Sequence, residues 1–209
     1  MSGFTTTGAS ILSDIESLPM SILFWRSLTH WLGGMGIVVL TVAVLPLLGI
    51  GGLQLVQAEA PGPTVDKLAP RIKETAKLLW YIYIGLTAAQ VALLMLAGMN
   101  LFDSLTHTFG TVATGGFSPK NLSVGYYKST IVDWVTTLFM VLAGINFTLH
   151  FRLISGKPRD LLRDSELKAY LFIFFGAMTI IAWDIYGKNY STISDSFRYA
   201  GFQAATIMT

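Results

Sequence analysis

Residues Thr111 to Ser118 read TVATGGFS, and they follow a polar, helix-like run, DSLTHTFGTV, that begins at Asp103. Crossing a bilayer takes about 20 mostly apolar residues, and this run is both shorter and more polar. It is expected to be a half-helix over 103–112 that enters a membrane and stops. Gly115 and Gly116 then allow φ > 0, so the chain can leave the helix as an extended strand with its carbonyls exposed. Backbone of that kind survives at membrane depth only if it is buried in protein or lines a watery cavity. The stretch 111–118 therefore predicts a pore-lining loop.

The same phrase stands at the N-terminus. SGFTTTGAS (2–10) sets Thr6, Gly8 and Ser10 at the spacing of Thr114, Gly116 and Ser118, with a constant offset of 108. A third copy begins near the C-terminus, where Asp195 and Ser196 echo Asp103 and Ser104 and FQAATIMT (202–209) follows. A lone TxGxS is an ordinary turn, but two copies, each ahead of a long apolar run, favour a pore. Threonine and glycine suit a filter because their carbonyls can face the axis and replace an ion's hydration shell. A hard monovalent cation takes oxygen ligands, and no acidic ring here calls for a divalent ion. Half-helices whose C-termini face the axis would each add about half an electron of negative charge there. The candidate ion ligands are the backbone oxygens of Thr5, Thr6, Thr7 and Gly8, and of Val112, Ala113, Thr114, Gly115 and Gly116.

The surrounding chain agrees with a membrane setting. Of its 209 residues 53% are hydrophobic and 12% charged, and the mean hydropathy is +0.59. Soluble domains carry about 25% charged residues. A net charge of +2 gives no reason to expect nucleic acid, and the lack of cysteine excludes disulfides and thiolate metal sites. MSGFTTTG lacks the basic and apolar regions of a signal peptide. No HExxH, GxSxG or intramembrane carboxylate cluster points to an enzyme, and no cofactor is expected.

Four apolar runs are expected to span the membrane, at 22–45, 78–98, 131–151 and 167–186. Gly33, Gly34 and Gly36 in the first would let a neighbouring backbone approach closely. Residues 49–77 are polar and broken by GIGG and PGP, with a short amphipathic helix at their end. Trp80, Tyr81 and Tyr83 suggest an interfacial belt, and Asp103 an N-cap. Lys67, Arg71, Lys73, Lys77, Arg152, Lys157, Arg159, Arg163 and Lys168 put nine cations on one face, against Lys120, Lys128, Lys188 and Arg198 on the other. The first face is then cytoplasmic, and both glycine loops open outward. Two crossings separate the loops, so they are direct repeats. Arg26 reads as an interfacial, snorkelling arginine. His30 and His107 read as packed or hydrogen-bonded, and Asn146 as bonding across helices or facing water.

TTTGAS, WLGGMGI (31–37), AEAPGP (58–63), PRIKETAKLLWYIY (70–83) and TVATGGFS together resemble the TrkH/TrkG potassium-uptake proteins, part of the Trk, Ktr and HKT superfamily. The likeness covers the whole chain and the middle of a family member. It implies an all-α polytopic membrane protein in which units of span, re-entrant half-helix, filter loop and span surround a central pore with fourfold pseudo-symmetry. Residues 1–48 would close a first unit, and 49–77 would form a cytoplasmic loop. Residues 78–156 would make a complete second unit, 157–166 another cytoplasmic loop, and 167–209 the start of a third unit. The resemblance also implies potassium as the transported ion, a bacterial plasma (inner) membrane location, a homodimer and a cytoplasmic nucleotide-binding regulatory subunit. Alternatives are a sodium-conducting member of the superfamily or a secondary transporter with broken helices.

Overall fold

The computed structural model describes residues 1–36, 65–154 and 164–209. Its helices are α1 (Met20–Trp31), α2 (Val65–Leu96), α3 (Leu101–Val112), α4 (Thr130–Gly144), α5 (Phe147–Ile154), α6 (Ser165–Ile185) and α7 (Ile193–Met208). No strand occurs among the described residues. Residues 37–45 of the expected first span, the expected loop segments 49–64 and 157–163, and residues 155–156 of the expected second unit lie outside them.

At 1.5 Å per residue, the 32 residues of α2 reach about 48 Å, more than the roughly 30 Å of a hydrocarbon core. The amphipathic stretch expected before the second span is thus continuous with it. Lys77–Leu96 and Ser165–Ile185 are each long and apolar enough to cross a membrane. On α6, Phe172 is 80% and Trp183 85% exposed, an apolar face that water would penalise and lipid accepts. The opposite face of α6 packs with α4 and α7 through Phe174, Met140, Ala204 and Ala205.

The short helix α3 holds the centre. It packs against α1, α2 and α4, and it is buried at Asp103, Ser104 and from Thr106 to Val112. Its cap is Asn100, not Asp103. The Asn100 Oδ1 accepts from the Asp103 amide at 2.8 Å, and the Asn100 Nδ2 donates to the Asp103 carboxylate at 3.1 Å. This reciprocal cap places the acid at the third helical position and starts the helix two residues earlier than expected. In α7, Thr192 and Asp195 repeat the arrangement, the Asp195 amide donating to Thr192 Oγ1 at 3.3 Å and the hydroxyl donating back to the carboxylate at 2.5 Å. Ser104 and Ser196, each one residue further on, are both buried.

Two further expectations need correction. The run 131–151 is not one helix: α4 ends at Gly144, Ile145 is extended at φ −76° and ψ 140°, and α5 restarts at Phe147. Carbonyls released by the break find donors, with Tyr170 Oη reaching Val141 O at 3.2 Å and His150 Nε2 lying 2.9 Å from Leu142 O. Asn146 sits in the break, its amide 3.5 Å from Glu166 on α6. The aromatic belt is also only partial. Tyr81 points outward, but Tyr83 is buried and, like Trp80, packs on Trp31, whose indole donates to Thr87 at 3.1 Å. Burying these rings against α1 outweighs leaving them at an interface.

Candidate functional site

The end of α3 determines the conformation of the second glycine loop. Thr114 lies in the left-handed region at φ 54°, and Gly116 follows at φ 79°. The Thr114 amide donates to Thr111 O at 3.0 Å and the Gly115 amide to Gly110 O at 2.8 Å, the paired bonds of a Schellman helix end. The first loop has the same geometry 108 residues earlier. Thr6 and Gly8 have φ of 53° and 72°, the Thr6 amide donates to Gly3 O at 3.1 Å, and the Thr7 amide donates to Ser2 O at 3.1 Å. The turns that follow also match, since Ser10 Oγ accepts from the Leu12 amide at 3.3 Å and Ser118 Oγ from the Lys120 amide at 2.9 Å.

The loops meet. A Cβ on Gly8 would collide with the carbonyl oxygen of Gly115, so the two backbones touch where each carries glycine. Together they border a cavity of about 350 Å³. Thr6 and Thr7 line it from the first loop, and Thr111, Thr114, Gly115 and Gly116 from α3 and the second loop. The end of α7 contributes Phe202, Thr206 and Thr209, and α4 contributes Thr136 and Met140.

Among the candidate ligands, Thr6, Thr7, Thr114, Gly115 and Gly116 therefore share one cavity. Gly8 abuts it through Gly115. Thr5 is exposed, with its hydroxyl 2.8 Å from that of Thr7, while Val112 and Ala113 are buried at the helix end. Thr136 and Met140 were missed by the sequence reading. They stand four apart on one face of the third apolar run, and that spacing was the available signal.

Helix α1 supports the second loop from behind. Phe117 stacks on the His30 ring at 3.8 Å and 15°, and the Arg26 guanidinium lies 3.7 Å from the centroid of the same ring. Arg26 also donates to Ser118 O at 3.1 Å, so it is tied to the loop and does not snorkel. Its partner stands 92 positions away, too far for local pattern to reveal. His30 and His107 are packed as expected. The Phe117 amide donates to His30 Nδ1 at 3.4 Å, and His107 Nε2 lies 3.4 Å from Ser118 Oγ. Gly33 and Gly34 of the π-helical turn Leu32–Gly36 also do as expected: a Cβ on Gly33 would strike the Phe4 backbone, and one on Gly34 would come within 3.0 Å of Ala113 Cβ.

The sequence model of the TrkH family, described as "Cation transport protein", matches residues 1–182. The chain belongs to the TrkH family. Among curated TrkH-family relatives, the Trk system potassium uptake protein TrkH of Escherichia coli (strain K12) is 44% identical over 215 residues, which is all of this chain and 44% of that protein. TrkG of the same strain is 42% identical over 211 residues, again all of this chain and 44% of the relative. The crystal structure of the potassium transporter TrkH from Vibrio parahaemolyticus matches with a TM-score of 0.79 at 40% identity, covering 99% of this chain and 42% of that one. The chain thus spans less than half the length of these TrkH-family relatives, and the likeness places it among membrane proteins of that fold.

Proposed function

We propose that this chain contributes two filter loops and a third half-helix to a pore that conducts potassium across the bacterial plasma membrane in several passes. The observation that carries the reading is the single 350 Å³ cavity bordered by two loops of matching backbone and by the end of α7. Potassium is favoured because the relatives are named potassium uptake proteins and because rings of backbone oxygens suit a monovalent ion. The ion would shed water against carbonyls of the Thr5–Gly8 and Val112–Gly116 segments and pass toward the cation-rich, cytoplasmic side. No bond is made or broken, so catalytic residues have no place in this reading. The resemblance supports a homodimer and a nucleotide-binding regulatory partner.

The test places these residues in the E. coli relative in exchange for the matching segment. Gly116→Ser and Gly8→Ser are expected to lower potassium over sodium discrimination in flux measurements while the protein still reaches the membrane. Unchanged discrimination in both would remove the loops from the pathway.

A further inference from the structure

Phe117, the residue directly after the ATGG segment, is held in an unusual way. The His30 ring lies parallel to it at 3.8 Å, and the Arg26 guanidinium lies 3.7 Å from its centroid. Two planar groups that close to one centroid cannot share a face, so Phe117 is inserted between them. Arg26 and His30 are four apart on α1, one helical turn, and the ring fills the slot between successive turns. Both clamp residues also grip backbone on either side of the ring. His30 Nδ1 accepts from the Phe117 amide at 3.4 Å, and Arg26 donates to Ser118 O at 3.1 Å. His30 reaches further still, because a Cβ on Gly115 would collide with its ring.

The arrangement is local to the second loop. Ala9 occupies the Phe117 position of the first loop at the offset of 108, and it offers no ring to clamp. Counting from the helix starts Met20 and Thr130, an offset of 110, Arg26 and His30 correspond to Thr136 and Met140 of α4. Those two line the cavity and can form neither an ion–aromatic contact nor an imidazole bond. Arginine and histidine thus stand at this register on α1, behind the second loop, and not on α4, which packs on α7.

We propose that Arg26 and His30 are positioning residues that clamp Phe117, fix the height of the Gly115 and Gly116 carbonyls in the pore, and thereby set ion discrimination. The proposal rests on the pore reading. A ring gripped on both faces, with its own amide and the next carbonyl bonded, cannot slide along or turn about the pore axis. Filter oxygens placed by such an anchor keep their spacing when a smaller ion enters.

The test uses the full-length chimera in which these residues replace the matching segment of Vibrio parahaemolyticus TrkH, reconstituted for rubidium and sodium flux. His30→Phe keeps the stack but removes the acceptor, Phe117→Leu keeps apolar bulk but removes the ring, and Arg26→Lys keeps charge without the planar fork. Each is expected to lower rubidium over sodium discrimination by up to about tenfold, the effect of losing about 1.4 kcal/mol, with membrane yield retained. Because the ring and the backbone bonds hold one loop, His30→Phe combined with Phe117→Leu should lower discrimination by less than the product of the two single effects. Arg26→Lys is read independently if a His30 variant accumulates poorly. Wild-type discrimination in the clamp variants, alongside lowered discrimination in Gly116→Ser, would overturn the clamp and leave the pore standing. Wild-type discrimination in all of them, Gly116→Ser included, would overturn both.

Discussion

Thr6 and Thr114 both sit in the left-handed region, at φ of 53° and 54°, where a β-branched residue costs about 1–2 kcal/mol. Such strain persists only where surroundings over-determine it, and it gathers at functional sites. The neighbouring glycines separate two physical demands. Gly116 has open space around it but a φ of 79°, so Gly116→Ala should cost about 1 kcal/mol from backbone strain alone. A Cβ on Gly115 would strike the His30 ring, and overpacking of that kind costs about 1–3 kcal/mol. Gly115→Ala is accordingly expected to lower the thermal midpoint in detergent more than Gly116→Ala; the opposite order would mean that the His30 contact is not rigid.

Helix α4 breaks where its hydropathy continues. The interruption at Gly144–Asn146 was invisible in hydropathy because Ile145, Phe147 and Leu149 continue the apolar run. What stabilises it is tertiary, a phenol and an imidazole that arrive from other turns to meet the Val141 and Leu142 carbonyls. Removing the phenol, as in Tyr170→Phe, should destabilise the protein by about 0.5–1.5 kcal/mol, seen as a lower midpoint, whereas Phe172→Leu on the exposed face should do little. The half-helix cap is testable in the same way, since Asn100→Ala should cost about 1 kcal/mol. A reporter fused after Lys157 is expected to read cytoplasmic and one after Lys188 external, and the reverse pair would invert the reading of both loops.

The described residues leave apolar faces open. Phe172, Ile180 and Trp183 on α6 and Leu96 on α2 are largely exposed, and the cavity is bordered by two loops, by α4 and by the end of α7. A carbonyl filter needs oxygens converging from about four sides, and the chain spans 44% of the length of its E. coli relative. Expressed alone, the 209 residues are expected to insert but not to restore growth of a potassium-uptake-deficient bacterium on low potassium. Joined to the remaining segments of the relative, they should restore it. Rescue by the isolated segment would show that two loops assemble a working pore.

The membrane class, the short helix α3 and the matched loops were all legible in the sequence, because each rests on local chemistry. Mean hydropathy reports the solvent, glycine reports where φ turns positive, and an exact offset of 108 needs no fold to be seen. The α3 cap was displaced only slightly, from Asp103 to Asn100, since both residues can accept from a helix start. Tertiary structure alone decided which partners those local shapes would meet. That Gly8 touches Gly115, that Tyr83 turns inward onto Trp31, and that Arg26 grips Phe117 and Ser118 depend on contacts between residues some 50 to 110 positions apart. Such contacts leave no periodic trace in a single sequence, because packing energy depends on what lies opposite in space and not on what lies adjacent in the chain.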